Sequence, residues 1–277
     1  MKPSVTAVSA LAVAAGLAAV PVQAPGQTEA EIQRGVERYR EMLREDPWSN
    51  PGLLDSDRGE MLWSTAAGPN DVTLEDCDLG LGPGVVEGAF AQLPRYFEDA
   101  GRVMDAETRI LWCMETLQGR DMSEFLVRPH PGGGQPVREL GAIATWVAHL
   151  SSGMAYAPDM DSAEVIDAVA LGETLFKQRS GPFDFSCETC HAQSGQRIRL
   201  QELPWLAGDE AALVVGEWPA YRVSSTHVMT MQHRMFDCYW QMRMPRLELG
   251  SEASVALIAY LTAAAEGGAV AAPGLKR

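Results

Sequence analysis

Cys187-Glu188-Thr189-Cys190-His191 is the stretch that decides the fold of this 277-residue chain. It has the C-x-x-C-H pattern of covalent haem attachment, in which both thiols bond to the haem vinyl groups and the histidine ligates the iron. Two residues between the cysteines let one turn of backbone present both sulfurs to the same porphyrin edge. A thioredoxin-like redox pair and half of a zinc site are the alternatives. Zinc is disfavoured because the sequence contains no second C-x-x-C.

The first 24 residues have the features of a secretory signal. Lys2 forms a short positive region, residues 5–22 are mostly Ala, Val, Leu and other small residues, and Val22-Gln23-Ala24 is an acceptable cleavage site. Because the apolar run is rich in alanine and includes Pro21, a retained membrane anchor is the weaker interpretation. No other stretch approaches the roughly 18–20 apolar residues of a membrane-spanning helix. We expect export to a bacterial periplasm, where c-type haem is also attached, and no membrane association.

The balance of charges narrows the range of partners. The formal net charge is −15, with 37 acidic residues against 22 Lys and Arg. Such a surface repels phosphate backbones and anionic headgroups, which argues against nucleic acid or anionic lipid as a partner. The charge is compatible with a basic partner protein and equally with solubility alone.

Length and apolar spacing indicate two mainly helical domains. About 250 residues remain after the signal, which exceeds one ordinary domain. Residues 25–50 contain a charged helix, from Glu29 to Glu45, and a break at Pro47, Pro51 and Gly52. Amphipathic spacing predicts further helices over residues 106–117, 137–150, 164–178 and 254–265. The stretch between the haem motif and the last helix, with Pro204, Trp205 and Pro219, is expected to be irregular.

The closing helices, 141–150 and 256–265, occupy corresponding places in the two halves. This correspondence predicts a duplicated fold of two cytochrome c-like domains. Residues 25–153 would form a first copy without haem, and residues 154–277 the copy that carries it. Cys77-Asp78-Leu79-Gly80 retains a leading cysteine but lacks the second cysteine and the histidine of a haem motif. Two unrelated helical domains are the alternative.

The five cysteines leave one thiol to explain. Cys187 and Cys190 belong to the haem motif, and Cys77 and Cys113 can pair in an oxidising compartment. A bridge closing that loop would contribute roughly 3–4 kcal/mol to stability. The remaining thiol is that of Cys238, and a lone exported thiol without a protected role would be oxidised.

The segment around Cys238 offers two kinds of chemistry. It contains many candidate ligands for the second face of the iron, namely His227, Met229, Met231, His233, Met235, Cys238, Met242 and Met244. A methionine ligand would indicate an ordinary electron-transfer cytochrome. However, Arg234, Arg243 and Arg246 flank the thiol in an otherwise acidic chain. Nearby cations favour thiolate over thiol, and they can bind a small dianion.

At this point the chain resembles the SoxA subunits of the SoxAX cytochromes, which are L-cysteine S-thiosulfotransferases of bacterial sulfur oxidation. The resembling residues are Cys77-Asp78-Leu79-Gly80-Leu81-Gly82-Pro83-Gly84, Leu93-Pro94-Arg95-Tyr96-Phe97, Cys113-Met114-Glu115, Cys187–His191 and Asp237-Cys238-Tyr239-Trp240-Gln241-Met242-Arg243. They extend over almost the whole mature chain. The resemblance implies two joined cytochrome c-like domains and a single-haem type, with one haem c and a disulfide between Cys77 and Cys113.

The resemblance also implies roles for individual residues. His191 would be the proximal iron ligand, and Cys238 both the distal ligand and the nucleophile, which can carry an extra sulfur as a persulfide. Arg234, four positions before Cys238, would be the cation on the substrate side. We add Arg243 from its spacing and charge.

The implied reaction joins thiosulfate to a cysteine of the SoxYZ carrier and releases two electrons to cytochrome haem. A thiolate ligand favours Fe(III) and lowers the haem potential. A small SoxX-type cytochrome is therefore the expected partner in a heterodimer.

Overall fold

The computed structural model describes residues 28–45, 49–125, 134–198, 201–206, 208 and 210–276. The predicted signal, residues 1–24, lies outside the described residues. The described residues divide between two compact units, with the boundary between Met42 and Leu43. Within the described ranges, no helix combines the length and apolar character needed to span a membrane.

Helices dominate the described chain. They are α1 (Glu29–Glu45), α2 (Gly52–Ser64), α3 (Ala106–Thr116), α4 (Gly134–His149), α5 (Ala163–Lys177), α6 (Cys187–His191), α7 (Ala211–Gly216), α8 (Met231–Gln241) and α9 (Glu252–Ala264). The strands are short: β1 (Arg95–Phe97), β2 (Arg102–Met104), β3 (Arg197–Ile198), β4 (Gln201–Glu202), β5 (Ala220–Arg222), β6 (His227–Met229) and β7 (Gly274–Lys276). Single turns of 3-10 helix cover Phe90–Gln92 and Met122–Phe125.

The helices that apolar spacing predicts are confirmed to within a few residues, but α2, α7 and α8 are not anticipated. Helix α2 begins at Gly52, where the sequence analysis placed a break. Pro51 is the N-cap of this helix, a position where its missing N–H costs no hydrogen bond. Helix α8 lies inside the stretch expected to be irregular, and the Thr230 side chain caps it by accepting from the His233 N–H.

The second half is built on a close crossing of α5 and α9. Gly172 of α5 is buried, and a Cβ added there would lie 2.0 Å from the carbonyl oxygen of Ala256 on α9. One turn further along each helix, the rings of Phe176 and Tyr260 pack with centroids 5.2 Å apart. Only glycine permits this approach of the two backbones.

The first half repeats the same crossing with different aromatic residues. A Cβ added at Gly59 of α2 would lie 2.1 Å from the carbonyl oxygen of Ala142 on α4. One turn further along, the rings of Trp63 and Trp146 lie 5.5 Å apart. Glycine, alanine and an aromatic pair therefore recur in the same relation in both halves, which supports duplication over two unrelated helical domains.

A disulfide between Cys77 and Cys113 ties a loop of the first half to α3, and both residues are buried. The loop continues as a turn in which the Asp78 carboxylate accepts from the N–H groups of Gly80 and Gly82. Arg109 of α3 donates to the Asp78 carbonyl at 2.6 Å and pairs with Asp99 at 2.8 Å. A disulfide and several hydrogen bonds therefore hold this region together.

Three short strands form a sheet, and two of them, β5 and β6, come just before α8 in the chain. Strand β5 is central, antiparallel to β6 and parallel to the C-terminal strand β7. In this register Arg222 lies opposite His227 on one side and Lys276 on the other. Because β6 ends at Met229 and α8 starts two residues later, the sheet determines where α8 begins.

Two buried carboxyl groups lie where the start of α3 meets the start of α8. Glu107 accepts from the Gln232 N–H at 3.2 Å, and Asp105 accepts from the Gln232 side chain at 2.6 Å. Burial, followed by the adjacent Asp105, raises the pKa of Glu107 to about 8. Burial also raises the pKa of Asp105, while hydrogen bonds from Thr108 and Gln232 oppose this. The pair therefore retains a proton at neutral pH.

We expect Gly172→Ala to lower the free energy of unfolding by about 1–3 kcal/mol, because the new methyl group forces α5 and α9 apart. Chemical unfolding of the haem-loaded protein would measure this. The control is Gly35→Ala, also in a helix but with open space around the added Cβ. It should be neutral or stabilising because alanine is the better helix former. Equal behaviour of the two variants would contradict the close crossing.

The free energy of unfolding should fall as pH rises from about 4.5 to about 8. Glu107 has a pKa of about 8 in the folded protein against an ordinary 4.5. Between these values the folded protein holds a proton that the unfolded chain releases, so stability decreases with pH. Urea unfolding of the parent and of Glu107→Gln at pH 5 and pH 8 would test this. The variant should lose less stability over the interval; an unchanged loss would show that Glu107 ionises normally.

Candidate functional site

The C-x-x-C-H motif forms a short helix, α6, held by a reciprocal cap. The Ser186 side chain accepts from the Thr189 N–H, and the Thr189 side chain accepts from the Ser186 N–H. The helix presents Cys187 and Cys190 as free thiols, both half-buried. His191 follows on the same turn.

The imidazole of His191 is oriented by the chain that follows the motif. Its Nδ1 lies 2.8 Å from the carbonyl oxygen of Pro204. A carbonyl only accepts, so Nδ1 carries the proton and Nε2 is left with its lone pair. Burial, and to a lesser degree Arg234, lowers the pKa of His191, while the bond to Pro204 raises it. A neutral imidazole with Nε2 unprotonated is the form that binds iron.

Cys238 lies on α8. One face of this helix is directed toward the site, and another packs against the core. Gln232, Met235 and Phe236 are buried on the core side. Arg234 lies one helical turn before Cys238, so the two side chains share a face. Spacing along the helix therefore places the cation beside the thiol.

Cys238 lies close to the haem motif, although it comes 47 residues after His191 in the chain. The Tyr239 hydroxyl hydrogen-bonds the Cys187 thiol. Burial raises the pKa of Cys187 to about 12, and the charge of Cys238 adds to that effect. The charge of Cys190 in turn acts on Cys238. The three thiols thus lie in one neighbourhood.

These residues fit a haem c. Two reduced thiols on one helical turn can form the thioether bonds, and His191 offers Nε2 because its Nδ1 is engaged. Cys238 supplies a further sulfur donor from α8, the element that reaches the motif from the other half of the domain.

Opposing effects act on the thiol of Cys238. Burial is the largest and raises its pKa. Arg234 lowers the pKa, Asp237 raises it, and Arg222 lowers it. From the sequence, only the neighbouring cations are apparent. The structure adds the apolar surroundings, which outweigh them while the sulfur is not coordinated.

Arg222 is the site residue that the sequence analysis missed. It lies on β5, 16 residues before Cys238, and is half-buried. Burial lowers its pKa, and the neighbouring Arg234 lowers it further, whereas Asp237 and Cys238 raise it. The sequence has only a weak signal for this placement: a short polar turn, Ser224-Ser225-Thr226, that permits a hairpin.

The arginines chosen from the sequence have different environments. Arg234 donates to Asp237 at 2.8 Å, and both side chains are about a quarter exposed (27% and 28%). Gln241 also donates to Asp237 at 2.8 Å, so the carboxylate holds the guanidinium in place. Arg243 is exposed, has a positive φ of 57° just beyond the end of α8, and stacks over the Trp240 ring at 5.3 Å. The structure therefore brings Arg234 to Cys238, and Arg222 with it, but directs Arg243 toward Trp240.

Some of the alternative iron ligands also lie near the haem motif, and Met235 shares an apolar cluster with Cys187. Met229 and Met235 are buried in apolar clusters. The rings of His227 and His233 lie 6.2 Å apart, and the Nδ1 of His227 bonds the Ser225 carbonyl at 2.6 Å. Across the residues that the structure describes, no group of three or more His, Cys, Asp or Glu side chains is arranged to hold a metal ion.

The chain is similar to known proteins over most of its length. The SoxA/TsdA cytochrome c domain matches this chain twice, over residues 58–156 and 171–270. A protein of Hydrogenophilus thermoluteolus named L-cysteine S-thiosulfotransferase subunit SoxA is 44% identical over 100% of both chains. A protein of the same name from Hydrogenobacter thermophilus is 32% identical, covering 87% of this chain and 88% of its own.

A solved structure shows the same fold. A chain of the crystal structure of SoxXA from P. pantotrophus superposes with a TM-score of 0.70 at 22% identity. The match covers 87% of this chain and 84% of that one. The double domain match and the full-length similarity lead to one conclusion: this chain belongs to the SoxA/TsdA cytochrome c domain family.

Proposed function

We propose that this chain is the SoxA subunit of a periplasmic L-cysteine S-thiosulfotransferase, with Cys238 as the residue that accepts sulfur. The observation that carries the proposal is the position of Cys238, which faces both the haem motif and two arginines. An electron-transfer cytochrome needs the first of these contacts but has no use for the second. The names of the relatives support the same function.

The proposed cofactor is a single haem c in residues 154–277. Cys187 and Cys190 would attach it, and His191 and Cys238 would ligate its iron. When bound, the haem supplies an acceptor for electrons released at the cysteine sulfur. In residues 25–153 the cysteines Cys77 and Cys113 are joined to each other, which supports a first domain without haem.

Thiosulfate, a small dianion, suits the pair of guanidiniums. Arg234 and Arg222 can donate to its sulfonate oxygens from two different elements, α8 and β5. Asp237 keeps Arg234 in a fixed orientation. This binding directs the outer sulfur of thiosulfate toward the Cys238 thiol. Arg243, exposed at the end of α8, would meet the anion on its way to this pair.

The chemistry at Cys238 balances as two steps. First, an S–S bond forms between the Cys238 sulfur and the outer sulfur of thiosulfate, with loss of the thiol proton and of two electrons, for which the haem and the SoxX-type cytochrome would be the acceptors. Second, a cysteine thiolate of the SoxYZ carrier attacks the outer sulfur and displaces the Cys238 thiolate. The carrier leaves with the thiosulfonate group, and Cys238 returns to its starting state. If Cys238 carries a persulfide, its outer sulfur would form the S–S bond with thiosulfate in the first step and would be the leaving group in the second, while the Cys238 sulfur stays bonded to it.

A SoxX-type small cytochrome is the proposed partner. The structural relative is a chain of the crystal structure of SoxXA, whose name supports this partner. A thiolate-ligated haem has a low potential, so a second cytochrome of higher potential is needed to take electrons onward.

Cys238→Ala should abolish coupling of thiosulfate to the carrier and remove the thiolate-type low-spin EPR signal of the oxidised, haem-loaded protein. Both losses are expected because one sulfur serves as ligand and acceptor. Cys238→Ser is the matched variant, since it keeps the shape but not the thiolate. An unchanged His/Met or bis-His signal in Cys238→Ala would sink the assignment and leave an electron-transfer cytochrome.

Arg234→Gln and Arg222→Gln should each raise the KM for thiosulfate about tenfold or more, because a charge-assisted hydrogen bond contributes about 1.5–3 kcal/mol. Steady-state kinetics with the SoxX-type partner and carrier present would measure this. Arg179→Gln is the control: Arg179 lies in the same half, is 59% exposed and pairs with Asp184. A KM unchanged in Arg222→Gln would remove Arg222 from the substrate site.

A further inference from the structure

Gln232 is a buried polar residue of α8 that the proposed chemistry does not use. It is 1% exposed and lies on the core side of the helix, away from Cys238. Its side-chain nitrogen donates to Asp105 at 2.6 Å and to the Thr108 hydroxyl at 3.0 Å. Its side-chain oxygen accepts from the Gly250 N–H at 2.8 Å. Every polar atom of the amide is therefore engaged, which is what a buried amide requires.

The partners of Gln232 come from distant parts of the chain. Asp105 and Thr108 open α3 in the first half, 127 and 124 residues away. Gly250 lies in the turn just before α9. One side chain therefore joins α8 to the first half and to the closing helix of the second half.

The first half also forms a hydrogen bond with the backbone at the start of α8. Asp105 is the N-cap of α3, accepting from the Thr108 N–H at 2.9 Å, while its other oxygen accepts from Gln232. Glu107 accepts from the Gln232 N–H, one of the N–H groups that no helical carbonyl can reach. Two helix N-termini are thus capped by the same short segment.

These contacts determine the position of Cys238 because α8 is a continuous helix. Six residues of helix rise about 9 Å and turn through about 240°, so Gln232 and Cys238 point to different sides. A rotation or slide of the helix at Gln232 is passed on to the sulfur. Sites of this kind need their groups held within about 0.5 Å of the productive geometry.

We propose that Gln232 is a positioning residue for Cys238, and that the segment Asp105–Thr108 of the first domain acts as the support that sets the rotation and height of α8. This inference rests on the proposed function only in taking Cys238 as iron ligand and sulfur acceptor. It also gives the first domain a role, which is to hold in place the helix of the second domain that carries Cys238.

The test compares Gln232→Met with the parent in the haem-loaded protein assembled with its SoxX-type partner. Methionine keeps the volume but breaks the bonds to Asp105, Thr108 and Gly250. We expect a shifted or split low-spin EPR signal and a kcat lower by about tenfold, with the KM for thiosulfate changed much less. The control is Leu74→Val, a buried apolar change in the first half, in a cluster that contains no residue of α8 or of the haem motif. It should lower the unfolding temperature while leaving the EPR signal and kcat as in the parent.

A milder pair of variants covers the case in which Gln232→Met does not fold. Thr108→Val removes one acceptor of Gln232 and keeps the shape, whereas Thr108→Ser keeps the hydroxyl. The valine variant should shift the EPR signal in the same direction by a smaller amount, and the serine variant should match the parent.

Two outcomes would overturn the inference. One is a parent-like EPR signal and kcat in Gln232→Met with only a lower unfolding temperature. The other is an EPR signal and kcat in Thr108→Val indistinguishable from those of Thr108→Ser. Failure of the proposed function is distinguishable from both, because in that case Cys238→Ala itself leaves the EPR signal unchanged.

Discussion

The close crossing of α5 and α9 is the constraint on which the rest of the second half depends. Gly172 lets the two backbones meet at Ala256, and the paired rings of Phe176 and Tyr260 lock the contact. The haem motif begins only ten residues after the end of α5, and α8 packs on α9. The crossing therefore determines where His191 and Cys238 lie relative to each other, and a change in it would alter both sides of the proposed haem.

The same crossing in the first half serves a different purpose. Gly59 and Ala142 bring α2 and α4 together as their counterparts do, but a disulfide and the hydrogen bonds of Arg109 tie the neighbouring loop. The start of α3 contacts the other half at Gln232. In the proposed arrangement, the first domain therefore contributes to the site by supporting α8.

The site is locally basic, whereas the chain as a whole is acidic. The protein is strongly acidic, yet Arg222 and Arg234 are brought together beside one thiol, where burial and then the charge of Arg234 lower the pKa of Arg222. Two adjacent guanidiniums in a half-buried place gain from an anion between them. Asp237 offsets part of this repulsion and orients Arg234, so the pair can persist before a dianion arrives.

The sequence by itself determined the features that depend on short spacing. The C-x-x-C-H motif, the Arg234–Cys238 relation one helical turn apart, and the helices near α3, α4, α5 and α9 all follow from residues within a few positions of each other. Some local sequence signals were misleading. Pro51-Gly52 suggested a break where α2 starts, and the many Met and His residues of α8 suggested iron ligands and not a helix. Arg243 was chosen for its spacing, but a left-handed turn at the end of α8 sends it over Trp240. Only the tertiary structure decided that β5 carries Arg222 to the thiol and that Asp105 reaches Gln232 across 127 residues. Such contacts come from the packing of elements far apart in the chain, and no local periodicity records which of them will meet.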